Sequence, residues 1–142
     1  MDIWKYYDGD LKYPDLSNHS HEIEIAKANP KWAYLYTKIK GKNKDLEPII
    51  AKDAKYSYWY ADEVLHARFE LGEPAIAKNI EFSYLYAKDV LESRFELGEP
   101  TIAKDSYYSY AYAKLVINKP FPLGEPAIAK NEYYSKEYTK YV

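Results

Sequence analysis

The chain has 142 residues, no cysteine and a formal net charge of −2, and tyrosine accounts for 18 of its residues. Without cysteine, the chain cannot form disulfides, a thiolate nucleophile or a zinc finger, and the near-zero charge does not fit a duplex-binding protein or a polyanion mimic. The sequence has neither a secretory signal pattern nor an apolar run near the ~20 residues of a membrane span, so we expect a cytoplasmic protein.

The chain is organised as a tandem repeat. Ile-Ala-Lys occurs five times, and the last three intervals between its copies are each 26 residues. The longer sequence LGEP-x-IAK begins at Leu71, Leu97 and Leu123, and a shortened copy, LEPIIAK, begins at Leu46. A repeat of this length cannot bury its apolar face alone, so neighbouring copies must stack on each other.

In chain order, we predict an N-terminal cap over residues 1–21 and a single domain of tandem repeats over residues 22–142. The approximate units are residues 22–45, 46–70, 71–96, 97–122 and 123–142. The predicted fold class is all-α, a short α-solenoid of about five helix-turn-helix repeats with capping ends. The polar pair Lys136 and Glu137 replaces larger aromatic or apolar residues of the earlier units, as expected for a terminal repeat.

Each unit has signals for a short and a long helix. Pro74 suits the first position of a short helix that ends at Lys78. A capping residue for the long helix follows in every copy: Asp53, Asn79, Asp105 and Asn131. The long helix should run for about 12 residues, as in Ser106 to Asn118. Its apolar stripe is predicted to form the core. In the return loop, Phe69, Phe95 and Phe121 and the leucines Leu71, Leu97 and Leu123 are expected to plug the turn.

These repeats resemble tandem repeats of uncharacterised bacteriophage and other viral proteins. The matching stretches are YADEVLHARFELGE from Tyr60, YAKDVLESRFELGE from Tyr86 and, more loosely, YAKLVINKPFPLGE from Tyr112. The resemblance covers roughly residues 46–142. It implies a viral origin, interference with a host defence factor and a location in the host cytoplasm, but it carries no single activity or set of site residues.

No pattern in the sequence points to catalysis. There is no phosphate-binding glycine loop, no Gly-x-Ser-x-Gly elbow and no His-Glu-x-x-His, and the adjacent carboxylates Asp62 and Glu63 would point in different directions on a helix. His19 and His21 lack a third ligand at a fixed spacing, so we expect no metal site. The sequence therefore predicts a protein that is not an enzyme and needs no cofactor.

Two sets of residues are candidates for binding. The first is an aromatic strip, which could contact a protein or stack on bases, although packing between repeats is the alternative: Tyr34, Tyr58, Trp59, Tyr84 and Tyr110. The second is a basic segment proposed as a contact point for an anion: Lys38, Lys40, Lys42 and Lys44. The repeated lysines at 52, 78, 104 and 130 and glutamates at 73, 99 and 125 fit the helix dipole, and the lysines could also form a row along the solenoid.

The leading functional hypothesis is a non-catalytic helical-repeat protein that binds a partner protein, as a virus-encoded inhibitor of a host factor. One alternative is a module that binds a nucleotide, an oligonucleotide or another anion through its lysines and tyrosines. A second alternative is a self-associating structural protein. Salt dependence would separate the first two, because anion binding weakens steeply with added salt.

Overall fold

The computed structural model describes residues 19–142, with side chains from Glu22 onward. The first 18 residues of the predicted N-terminal cap lie outside the described residues. Residues 19–142 contain helices of three kinds and no β-strand. The first two helices are α1 (His19–Ala26) and α2 (Pro30–Lys40). The all-α repeat fold predicted from the sequence is confirmed.

From residue 47 onward, the chain alternates short and long helices. The short helices are α3 (Glu47–Ile50), α5 (Glu73–Ile76), α7 (Glu99–Ile102) and α9 (Glu125–Ala129). The long helices begin with α4 (Ala54–Trp59), α6 (Ile80–Leu85), α8 (Ser106–Ala111) and α10 (Glu132–Tyr141). Turns of 3-10 helix at Glu70–Gly72, Glu96–Gly98 and Pro122–Gly124 return the chain to the next short helix.

The predicted capping residues all perform that role. Each has an extended backbone, and its side-chain oxygen accepts a hydrogen bond of 2.8–3.0 Å from the N–H three residues later. The predicted residues are Asp53, Asn79, Asp105 and Asn131, and Asn29, which was not predicted as a cap, caps α2 in the same way. This bond satisfies one of the free N–H groups at the start of the long helix and so sets where that helix begins.

The second half of three long helices is π-helical, which the sequence did not predict. The π segments are Tyr60–Leu65, Tyr86–Leu91 and Tyr112–Ile117, and each continues directly from the α-helix before it. They end at His66, Glu92 and Asn118, whose φ angles of 51–52° are left-handed. The long helix of the fourth unit therefore has the predicted extent, with a wider second half.

The core runs continuously through the stacked units from Ala26 to Phe121. The tyrosines at 60, 86 and 112 are fully buried, as are the isoleucines at 50, 76 and 102. Buried Ser57 donates a hydrogen bond of 3.0 Å to the Ile50 carbonyl. A Cβ atom on Gly72 would lie 2.6 Å from Ser57, so only glycine fits where the return loop crosses the helix. The same arrangement recurs at Gly98 and Gly124.

The predicted plug of the return loop is half right. Phe69, Phe95 and Phe121 are buried, as expected. The leucines two residues later, which were also expected inside, are 53–56% exposed, so that part of the prediction is wrong. The phenylalanine ring already fills the space beside the glycine, and the 3-10 turn carries the leucine side chain outward. The exposed leucines are Leu71, Leu97 and Leu123.

Candidate functional site

The predicted aromatic strip lies inside the array. Tyr34, Tyr58, Tyr84 and Tyr110 are between 2% and 9% exposed. Each ring contacts an aromatic ring of the following unit: Tyr58 and Phe82, for example, have centroids 5.7 Å apart. A partner cannot reach these rings, which corrects the expectation of an aromatic binding strip. Packing between repeats, the alternative, is their role, because the stacked helices leave a volume that tyrosine fills.

The hydroxyl groups of two of these tyrosines also connect neighbouring units. Tyr58 donates a hydrogen bond of 2.6 Å to Asp89, and Tyr34 donates one to Glu63. The hydrogen bond from Tyr34 lowers the pKa of the Glu63 carboxyl, against the opposing effect of burial and with help from Lys38. A buried tyrosine with its hydroxyl satisfied stabilises the stack without leaving a polar group unpaired.

Trp59 is the member of the predicted strip that stays partly accessible. Its ring forms a triangle with those of Tyr34 and Tyr56, with all three centroids 5.7 Å apart. The Lys55 ammonium lies 5.1 Å from the Trp59 centroid, within the range of a cation–π contact. Side chains of the protein itself therefore already contact the half-buried indole ring.

The predicted basic segment spans the last turn of α2, with Lys38 and Lys40, and the loop that follows it. The Lys38 ammonium lies 3.2 Å from a Glu63 oxygen, and the Lys40 ammonium lies 3.9 Å from a Glu22 oxygen. Lys42 and Lys44 are exposed. Two of the four lysines therefore help to join α1, α2 and the next long helix, so the segment is less available to an anion than its composition suggests.

A hydrogen-bond network fixes the return loops that precede α5 and α7. Tyr86 donates a hydrogen bond of 2.6 Å to the buried carboxylate of Glu73 and accepts one of 3.0 Å from the Phe69 N–H. Arg68 donates two bonds, of 2.7 and 2.9 Å, to both oxygens of the same carboxylate. The loop is therefore held at its backbone, at its arginine and at the start of the short helix.

The next unit repeats this network. Arg94 donates bonds of 2.9 and 2.8 Å to Glu99, and Tyr112 donates to Glu99 as well. Burial raises the pKa of the Glu99 carboxyl, but the bonds from Arg94 and Tyr112 outweigh burial and lower it overall. The repeated glutamates are structural, as expected, but they accept specific hydrogen bonds in addition to complementing the helix dipole.

The three return loops each present one exposed leucine. We refer to Leu71, Leu97 and Leu123 as the leucine row. Between two of the loops lies a groove of about 250 Å³, lined by Leu91, Leu97, Arg68 and Arg94 among others. The sequence held a signal for this surface: the leucine is identical in three units although the phenylalanine beside it is sufficient to fill the loop.

A second exposed surface lies at the opposite end of the long helices, where each begins. Lys104 and Tyr107 are exposed in one unit, and Lys130 and Tyr133 occupy the same places in the next. We refer to these four residues as the lysine–tyrosine patch. The two tyrosines were absent from the predicted binding residues, which were chosen three positions further into the helix.

Two negative findings apply to the described part of the chain. No group of three or more histidine, aspartate or glutamate side chains could hold a metal ion there. None of its helices is both long and apolar enough to span a membrane.

Comparison with protein-family models, with curated proteins and with solved structures finds no match to the chain. The resemblance to viral repeats therefore stays a prediction.

Proposed function

We propose that this chain is a non-catalytic repeat protein that binds a partner protein through the leucine row. The observation that carries the proposal is the exposure of Leu71, Leu97 and Leu123, at 53–56%, at the same place in three successive units. Single exposed leucines are common on protein surfaces. An apolar side chain repeated along one edge gives a partner several anchors in a line.

The rigidity of the loops favours binding. The double hydrogen bond from Arg68 to Glu73, and that from Arg94 to Glu99, hold the segments just before Leu71 and Leu97 in one conformation. A partner would thus have little loop entropy to remove when it binds. Covering each half-exposed leucine would contribute about 1 kcal/mol, so three leucines supply a useful share of the binding free energy.

The resemblance to viral repeats extends this proposal to a partner in a host cell. An inhibitor needs only to occupy a surface of its target, and a rigid repeat array can do so without catalytic residues. We therefore propose a host factor as the partner and place the complex in the host cytoplasm.

The test is a pull-down with tagged protein from a bacterial lysate, with mass spectrometry of what is retained at low and high salt. The variant Leu71→Ser/Leu97→Ser/Leu123→Ser should lose affinity for the retained protein on the order of 100-fold. Leu115→Ser is the matched control, because Leu115 is 54% exposed but lies outside the row. Apolar contacts are not screened by salt. The wild type and Leu115→Ser should therefore both retain the partner at high salt. Equal retention by the triple variant would refute the proposal.

A further inference from the structure

The lysine–tyrosine patch has an exposed lysine and an exposed tyrosine, three residues apart in the chain, in each of two units. Lys104 lies three residues before Tyr107, and Lys130 lies three residues before Tyr133, so each pair spans the start of one long helix. The exposed fractions of Tyr107 and Tyr133 are 44% and 64%, which is high for such large aromatic side chains.

The exposed rings belong to a continuous aromatic chain. The ring centroids of Tyr108 and Tyr107 are 4.9 Å apart, those of Tyr107 and Tyr134 are 5.6 Å apart, and those of Tyr134 and Tyr133 are 5.2 Å apart. The inner rings, Tyr108 and Tyr134, are half-buried against the preceding unit. Tyr107 and Tyr133 are therefore supported from beneath while their outer surfaces face solvent.

The positive charge of the patch comes from two exposed lysines. Among the described residues, neither Lys104 nor Lys130 forms an ion pair. The neighbouring acids keep their negative charge but have other hydrogen-bond or ion-pair partners. Asp105 accepts the capping bond from Tyr108, and Glu132 pairs with Lys136 at 3.1 Å. Exposed lysines at the same place in earlier units, Lys52 and Lys78, extend the row of charge.

Independently of the leucine row, we propose that the lysine–tyrosine patch binds single-stranded nucleic acid. The lysines would contact backbone phosphates, and unpaired bases would stack on Tyr107 and Tyr133. Stacking tolerates any base, because every base has an aromatic face, so the binding should have little sequence preference. A duplex hides those faces, and the small net charge of the chain gives it little other attraction for one.

The test is fluorescence anisotropy with a fluorescein-labelled oligothymidylate of about 20 nucleotides, at salt concentrations rising from about 50 mM. Tyr107→Ala/Tyr133→Ala should weaken binding by about tenfold or more. Tyr107→Phe/Tyr133→Phe should bind nearly as well as the wild type, because the rings are kept. Lys104→Gln/Lys130→Gln should reduce the slope of log affinity against log salt by about 1.4, since each phosphate contact on a single strand contributes about 0.7.

Tyr141→Ala is the matched control, because Tyr141 is 51% exposed and lies outside the patch. It should bind like the wild type, and circular dichroism should show that every variant keeps its helicity. The proposal is overturned if the wild type does not bind at the lowest salt, if Tyr107→Ala/Tyr133→Ala binds as well as the wild type, or if a duplex of the same length binds as tightly as the single strand.

Discussion

The hydroxyl of Tyr58 donates a hydrogen bond of 2.6 Å to Asp89, one repeat further along the chain. Tyr84 holds the same place in the next unit, and the residue that corresponds to Asp89 is Leu115. Within the described residues, the Tyr84 hydroxyl has no hydrogen-bond partner. Burial raises the pKa of Tyr84 to about 12. The contact that Tyr84 makes with the following unit therefore lacks the hydrogen bond that Tyr58 makes one unit earlier.

Leu115→Asp should restore that bond and stabilise the protein. A hydrogen bond to a charged group contributes roughly 1.5–3 kcal/mol, and the lower helix propensity of aspartate removes part of that gain. Because Leu115 is 54% exposed, its removal costs little apolar burial. We expect the free energy of unfolding, measured by urea denaturation, to rise by about 1 kcal/mol.

The Tyr84→Phe background provides the control for this prediction. Without the hydroxyl, the carboxylate introduced by Leu115→Asp has no donor from which to accept a hydrogen bond. In this background, the substitution should be neutral or slightly destabilising. If Leu115→Asp stabilises both backgrounds equally, the gain does not come from a bond to Tyr84, and the prediction is wrong.

The left-handed residue that ends the long helix of the third unit gives a second prediction. Glu92 has a φ of 51° and is exposed, whereas Asn118 occupies the equivalent place in the next unit with a φ of 52°. Asparagine adopts this conformation more readily than glutamate. Glu92→Asn should raise the free energy of unfolding by about 0.5–1 kcal/mol, and the reverse change, Asn118→Glu, should lower it by a similar amount. Urea denaturation of both variants checks the sign, and two shifts in the same direction would contradict the explanation.

How far the sequence predicted the fold depended on whether each signal is local. Capping at Asn79 and the proline start of α5 are local, and both were predicted correctly. The side of the helix that Tyr58 faces depends on how far the next unit rotates, which periodicity within one unit does not contain. The exposure of Leu97 likewise depends on Phe95 having filled the loop, so apolar character alone gave the wrong prediction.

The candidate surfaces were harder to predict for a related reason. Sequence reasoning selected tyrosines by their recurrence, and recurrence in a repeat protein marks the packing between units first. Tyr107 and Tyr133 differ from their counterparts Lys55 and Glu81, so they carried no repeat signal. Neighbouring rings cover these two tyrosines on one side only, which the stacked structure reveals.

Removal of Arg94 tests the network that fixes the return loop. Arg94→Met takes away two hydrogen bonds and leaves the carboxylate of Glu99, whose side chain is 9% exposed, without its cation. A buried charge without a partner is costly, but the Arg94 side chain is 43% exposed and water can replace part of it. We expect a loss of about 2 kcal/mol in the free energy of unfolding, measured by urea denaturation.

The double variant Arg94→Met/Glu99→Gln separates charge from packing. The glutamine amide can still accept from Tyr112 and carries no charge, so the double variant should be less destabilised than Arg94→Met alone. If both are equally unstable, the cost comes from lost packing of the arginine stem. The fourth unit shows that the fold tolerates the change in part, because Pro120 stands where the arginine would be.

Alkaline pH should unfold the protein through its buried tyrosines. Burial raises the pKa of Tyr60, Tyr86 and Tyr112, with further contributions from their bonds to glutamates, and raises that of Tyr84 to about 12. In the unfolded chain, these groups titrate near pH 10. A pKa that is higher in the folded state means that the fold favours the protonated phenol. Its stabilisation is complete below pH 10 and is lost as the pH rises through the folded values.

The measurement is a pH titration followed by circular dichroism and by the ultraviolet absorbance of tyrosinate. The helical signal should be unchanged up to about pH 10, where the stabilisation by the buried phenols is still complete. The buried tyrosines should ionise at higher pH, together with the loss of helicity, because ionisation requires the units to separate. A single tyrosinate transition near pH 10 with the helicity intact would mean that water reaches the contacts between units. In that case, the stacked tyrosines would not be what holds the array together.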